Sequence, residues 1–304
     1  MSLLGALGAN IPNYVASIVA LAEGKLDVGL GIIIGSNIYN IAIILSIADF
    51  ATPRKHGIAF TFKEAQDVRT VGGFTLSILL AILLGIWLLP GTPLTNTLHT
   101  PLLSTVLLLM IMLLILGLFG ALAVHALRRV HHTSGDLSTV PIIEQKQASK
   151  TSLLLLMRWI GEALLALTIA LGGVVVMVQS GQNLTMELGI PQVLAGLLVL
   201  AVATSLPNTV VAFDLARTDR ETACVEEVFS SNSINATLGI ALPLLFWHFV
   251  LHDRLLLFLD APLMALLTLA ILVCVLRRHI SRSVSVLLLL VYVAWVVMHV
   301  LVAS

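Results

Sequence analysis

The stretch "IPN" at 11–13, followed by "GIIIGSNIYN" at 31–40, recurs in altered form as "LPN" at 206–208 followed by "EEVFSSNSIN" at 226–235. One offset of 195 residues carries Pro12 onto Pro207, Asn13 onto Asn208, Ser36 onto Ser231, Asn37 onto Asn232 and Asn40 onto Asn235 without a gap. The match is thin in overall identity. It is concentrated in prolines, asparagines and serines, which apolar helices do not collect by default, so chance explains it poorly.

The surroundings of the two copies are apolar throughout. Of 304 residues, 59% are hydrophobic and 11% charged, with a mean hydropathy of +1.06. That is the composition of an integral membrane protein. Charge-free runs at 2–22, 28–48, 70–98, 100–127, 163–186, 188–213, 228–251, 261–276 and 283–304 mostly approach the roughly 20 residues that cross a bilayer as a helix. They predict an all-α polytopic protein of about nine transmembrane helices, the span at 255–276 being interrupted by Asp260. The first run has no cationic leader and no A-x-A-like cleavage site, so it is expected to be a first helix rather than a cleaved signal. Formal net charge is zero and no basic tract exceeds what topology explains, which argues against nucleic acid as a partner. Cys224 and Cys274 stand in no CxxC or Cys/His spacing and read as two apolar thiols.

With nine crossings the loops alternate sides. Fourteen Lys and Arg residues fall on one side, and only Lys25 and Arg254 on the other. Basic residues collect in cytoplasmic loops, which predicts a cytoplasmic N-terminus, an external C-terminus and residence in a plasma (inner) membrane. The one long polar segment, 128–151, is then a cytoplasmic loop between a first half at 1–127 with four helices and a second half at 152–304 with five. His131 and His132, in that basic segment, have no carboxylate at ligand spacing and read as solvated side chains.

In this topology the first copy begins in a helix running outward and the second in one running inward. The repeats are therefore inverted, an architecture of secondary transporters whose substrate sites lie near the midplane where the copies meet. Proline removes a backbone donor and breaks the helix, freeing carbonyls at membrane depth. Ser and Asn beside it supply further oxygens, and Gly and Ser allow close helix approach.

The motifs resemble those of the calcium/cation antiporter superfamily, which includes the sodium/calcium exchangers and whose repeats read like "GTSLPE" followed by "GNxxGSNxxN". Here the second repeat has "ATSLPNTVVA" at 203–212 and "EEVFSSNSIN" at 226–235; the first has "GANIPNYVAS" at 8–17 and "GIIIGSNIYN" at 31–40. The resemblance implies that Asn13 and Asn208 occupy the positions of the central cation-binding glutamates. It places Thr204, Ser205, Ala9 and Asn10 beside them in the same broken helices, with Asn37 and Asn232 facing them from the next helix of each repeat. Ser36 and Ser231 complete the expected oxygen set for a transported cation such as Na⁺ or Ca²⁺. No cofactor is implied.

Both central glutamates are Asn here. Ca²⁺ favours six to eight oxygens, charged ones setting its affinity, and ions stripped of water in low dielectric need compensating charge. A neutral amide site therefore disfavours Ca²⁺, and Asn cannot take up a proton. Asp214, Glu226 and Glu227 are expected toward the cytoplasmic mouth, beside Arg217 and Arg220, and Glu162 as an ion pair with Arg158 four residues before it. Only about seven residues precede "GANIPN", so the opening helix of the family's five-helix half has no counterpart in the sequence read.

Two functions follow: a cation antiporter exchanging ions at the midplane, or a degenerate homologue that acts as a membrane partner or regulator without transport. An enzyme is not expected, since Ser205 and Ser231 have no evident His or Asp partner and His299 stands alone in the last helix.

Overall fold

A computed structural model describes residues 3–53, 56–98, 101–135, 153–187, 189, 194–246 and 250–303. The first apolar run holds two helices, α1 (Leu3–Ala9) and α2 (Ile11–Ala22). After them come α3 (Leu26–Ala51), α4 (Phe62–Trp87), the short α5 (Pro93–Leu98) and α6 (Pro101–Gly135). The second half holds α7 (Leu153–Glu187) and α8 (Ala195–Arg217). It continues with α9, which runs Glu221–Ala236 and on through a π turn at Thr237–Ala241 to Leu242–Leu244. The last two helices are α10 (Leu256–Leu276) and α11 (Arg282–Ala303).

Helix ends depart from the charge-free runs for a local reason. α4 starts at Phe62 rather than 70 because Thr61 and Glu64 form a capping box. The Glu64 backbone N–H donates to Thr61 Oγ1 (3.3 Å) and the Thr61 N–H to Glu64 Oε2 (2.8 Å), satisfying two donors that a helix start otherwise leaves open. α6 likewise runs past its basic turn to Gly135, so the segment expected as a loop from 128 begins as helix. Residues 136–152 and the side chains of His131 and His132 lie outside the described residues.

Two loop contacts fix which ends lie together. Ile58 pairs with Ile280 and Ala59 with His279 in a short antiparallel ribbon, joining the loop after α3 to the loop after α10. Arg129 on α6 salt-bridges Asp67 on α4 (2.9 Å) and Glu226 on α9 (2.6 Å), a basic end shared by three helices. At the opposite end Leu251 N–H donates to Pro90 O (3.1 Å). α3 therefore finishes, and α9 starts, at the basic end. The two copies run in opposite directions.

Among the described residues, six helices are long and apolar enough to cross a membrane: α3, α4, Leu102–Arg129 within α6, α8, α10 and Arg282–Val302 within α11. Shorter apolar helix stands at Ile11–Ala22 and Gly172–Gly181, on two of the other expected spans. The outward faces are apolar: Leu102, Leu113, Ile169, Val210, Leu266 and Leu290 are each exposed by more than half. In water such a surface would aggregate; against lipid it is the ordinary exterior. α3 is the axis, 94% of its apolar window being buried. It meets α8 closely at Gly35 and Gly196, where a Cβ on Gly196 would lie 2.6 Å from Val28 O and one on Gly35 would strike Leu197 O. Small residues at this crossing are a steric requirement.

Asp260 does not weaken its span. It is fully buried, accepts from Trp295 Nε1–H (2.7 Å) and lies 2.8 Å from His299 Nε2, both on α11. His299, expected to stand alone, is thus paired. The partners are far apart in sequence and meet because α10 and α11 both pack on α3.

Candidate functional site

The two prolines act differently. In the first copy the helix breaks at Asn10, with φ −94° and ψ 0°, and Pro12 sits in the first turn of α2, where its missing N–H has no helical partner to lose. In the second copy Pro207 lies inside α8 without ending it. A π turn opens the same helix at Ala195–Leu200, ahead of the Ala203 carbonyl that Pro207 leaves without its helical donor.

Asn10 is the hub of the first polar cluster. Its Nδ2 donates to Ala6 O (2.7 Å), capping the end of α1, and to Ser231 Oγ (2.7 Å) on α9. Its Oδ1 accepts from Asn13 Nδ2 (3.2 Å) and from Asn208 Nδ2 (2.8 Å). All four hydrogen-bonding positions of one amide are used, by four elements from both halves. Ser36 Oγ donates to Asn13 Oδ1 (3.4 Å) and to Ala201 O (3.3 Å). Ser231 Oγ in turn donates to Glu227 Oε1 (2.7 Å). The donors thus run from Asn208 and Asn13 through Asn10 and Ser231 to a carboxylate.

The second cluster is reciprocal. Asn37 Nδ2 donates to Asn232 O (3.3 Å) and Asn232 Nδ2 to Asn37 O (3.2 Å). Asn40 Nδ2 donates to Asn232 Oδ1 (2.9 Å), and its counterpart Asn235 Nδ2 to Asn37 Oδ1 (3.1 Å). Each bond maps onto its partner when the halves are exchanged. Asn37 and Asn232 were expected to face Asn13 and Asn208; instead they face each other. Consecutive helical residues point roughly 100° apart, so Ser36 turns toward α2 and α8 while Asn37 turns toward α9. π turns follow at Asn40–Ile44 and Thr237–Ala241, a distortion often found at functional positions.

The buried acceptors are not all satisfied. Among the described residues, Asn208 Oδ1, Ser205 Oγ, Glu227 Oε2, Asn40 Oδ1 and Asn235 Oδ1 have no hydrogen-bond partner, and all five residues are at most 1% exposed. An orphaned buried acceptor is costly and demands an explanation, an ion among them. Thr204 takes no part in either cluster: its hydroxyl donates back along α8 to Leu200 O (2.7 Å) and Ala201 O (3.2 Å). Ala9 lies beside the break at Asn10 and offers no side-chain oxygen.

The acids divide. Asp214 is exposed on α8, and Arg158 and Glu162 form the expected i, i+4 pair (2.7 Å) on an exposed face. Glu226 is held by Arg129 rather than by Arg217 or Arg220. Glu227, expected at the mouth, is buried in the first cluster. Nothing local in "EEV" distinguishes the two glutamates; the difference comes from α9 turning one toward α6 and the other inward. Asn40 and Asn235 were visible in the repeat and belong with Asn37 and Asn232. Among the described residues no three His, Cys, Asp or Glu side chains gather as a metal cluster, and Cys224 and Cys274 are free thiols.

Comparison with known proteins agrees with the fold. The family described as "Sodium/calcium exchanger protein" matches residues 2–127 and 158–301. The putative antiporter CaxA of Alkalimonas amylolytica is 33% identical over 75 residues, a match taking in 25% of this chain and only 23% of that one. The sodium-calcium exchanger NCX_Mj superimposes with a TM-score of 0.63 at 18% identity, covering 97% of this chain and 84% of that one. YfkE superimposes with a TM-score of 0.68 at 15% identity, covering 98% and 82%.

Proposed function

The chain belongs to the sodium/calcium exchanger family, and on that footing we propose that it is a secondary transporter exchanging an inorganic cation at a midplane site between its inverted halves, 1–127 and 152–304. The observation that carries this reading is the set of orphaned buried oxygens on Asn208, Ser205 and Glu227, beside an amide network tying both repeats together. Asn13, Asn208, Ser205, Ser36 and Ser231 are the proposed ligand set; Asn37 and Asn232 hold the halves in register around it, and Thr204 stiffens α8 behind Ser205. The basic end faces the cytoplasm, since that is where Lys and Arg accumulate, which puts the N-terminus inside a plasma (inner) membrane.

The test is flux in proteoliposomes driven by a cation gradient. Wild-type protein should carry a saturable flux that Asn13→Ala/Asn208→Ala abolishes, with the variant still monodisperse. Unchanged flux in that variant would remove these residues from the site.

One observation favours a second reading, a non-transporting membrane partner. Where relatives are inferred to carry glutamates, Asn13 and Asn208 commit their N–H groups to Asn10, a bond that holds the cluster closed. Absence of any saturable flux from the wild type supports that reading.

A further inference from the structure

We propose that Glu227 supplies the single negative charge of this site, and that the site therefore takes one monovalent cation of the Na⁺ class rather than a divalent one. The proposal rests on the transporter reading above and names its substrate class. Glu227 is 1% exposed, with Oε1 held by Ser231 Oγ at 2.7 Å and Oε2 unpartnered among the described residues.

The direction of the hydrogen bonds carries the argument. Asn13 and Asn208 each donate to Asn10, Asn10 donates to Ser231, and Ser231 donates to Glu227. Every donor in the chain points toward the carboxylate. The amides are thereby oriented with N–H groups inward to the network, which leaves Asn208 Oδ1 without a donor and Ser205 Oγ beside it on α8 likewise unpartnered. Oxygens left in this way present negative ends of dipoles, the arrangement that replaces water around a cation.

Charge then decides between ions. A monovalent cation beside one carboxylate makes a neutral site. A divalent cation leaves one uncompensated positive charge in a low-dielectric interior, where burying an unpaired charge is strongly unfavourable, and neutral amides do not offset that. Divalent sites in proteins gain affinity with the number of charged ligands. Of the other carboxylates, Glu226 and Asp67 pair with Arg129 at the basic end and Asp260 with Trp295 and His299. Buried Glu221, in the first turn of α9, and buried Asp49, near the end of α3, lie toward that same basic end, about 9 Å or more along their helices from Glu227 and Ser36. The first repeat contributes none, since the residue matching Glu227 at the 195-residue offset is Ile32.

The experiment is thermal unfolding of the full chain purified in detergent, titrated with NaCl, LiCl, KCl, CaCl₂ and MgCl₂ at constant ionic strength in choline chloride. A ligand that binds only the native state raises its stability with concentration. The expected result is a saturable shift with one or more monovalent cations, at least tenfold weaker apparent affinity for Ca²⁺ and Mg²⁺, and a tenfold or greater loss of monovalent affinity in Glu227→Gln. Glu227→Asp, which keeps the charge, should retain most of the affinity and shows that loss in the Gln variant is not misfolding. A wild type that prefers Ca²⁺, or a Glu227→Gln protein that binds monovalent ions as before, overturns the charge assignment while leaving the site in place. A wild type that responds to no cation overturns both this proposal and the transporter reading.

Discussion

Asn37 and Asn232, 195 residues apart, each donate a side-chain amide to the other's backbone carbonyl, at 3.3 and 3.2 Å. One residue thus does for the first half what its copy does for the second, and the two inverted halves are joined at their shared axis. Single interhelical hydrogen bonds in membrane proteins contribute about 0.6 kcal/mol on average and up to roughly 1.7. Asn37→Ala and Asn232→Ala should therefore each destabilise modestly and by similar amounts. Because both acceptors are backbone carbonyls, which either substitution leaves in place, the two bonds are lost independently and the double variant should lose about the sum of the two. Denaturation of the four proteins checks this; a double variant no less stable than either single one would contradict the paired bonds.

Asn10 should be far less replaceable. Its amide makes four hydrogen bonds to Ala6, Asn13, Asn208 and Ser231, and Asn10→Ala strands buried donors on Asn13 and Asn208. Each such group costs about 1–3 kcal/mol. Asn10→Ala is expected to lower stability more than either Asn37→Ala or Asn232→Ala. Equal losses in an unfolding titration would show that Asn10 is not the hub.

At the crossing of α3 and α8, Gly35→Ala drives a methyl into Leu197 O and the Ala201 side chain. Backbone cannot yield as a flexible side chain can, so folded yield should fall sharply. Gly73→Ala on α4, where a Cβ meets nothing within 4 Å, is the matched control and should be neutral or slightly stabilising, since Ala is the better helix former by about 1 kcal/mol. Fluorescence-detected gel filtration reads both. A well-folded Gly35→Ala would mean the helices are farther apart than described.

The Asp260 cluster yields a separate expectation. Removing the carboxylate in Asp260→Ala orphans Trp295 Nε1–H and His299, both buried, with a cost of roughly 1–3 kcal/mol for each group. Asp260→Asn keeps an acceptor for Trp295 and should lose less. The ordering of the two melting temperatures decides it, and a more stable Ala variant would contradict the pairing.

Much of this was legible in the residues. The offset that pairs Pro12 with Pro207 and Asn37 with Asn232 predicted a two-fold relation, and the partition of Lys and Arg predicted opposite senses for the copies. Both appear in the reciprocal bonds and in the shared basic end. Hydropathy found the spans but not their ends, because Lys63, Glu64, Asp67 and Arg69 occupy helical turns of α4 that a charge-free criterion discards. Glu227 could not be placed from sequence: its burial depends on where α9 turns it, while adjacent Glu226 pairs outward with Arg129. Asp260 reads as an interruption until Trp295 and His299 arrive from another helix. Proline predicts a break in both copies, yet α8 continues through Pro207 to Arg217, a difference from α2 that the motif does not encode.

The measurement that bears most directly on the central claim is anomalous diffraction from crystals of the full chain grown with thallium(I), whose scattering marks a monovalent site. The account predicts one dominant peak in the first polar cluster, within coordination distance of Asn208 Oδ1, Ser205 Oγ and the Glu227 carboxylate, absent in crystals of Glu227→Gln. A peak confined to another part of the molecule, or a bare cluster in a protein that still transports, would contradict it.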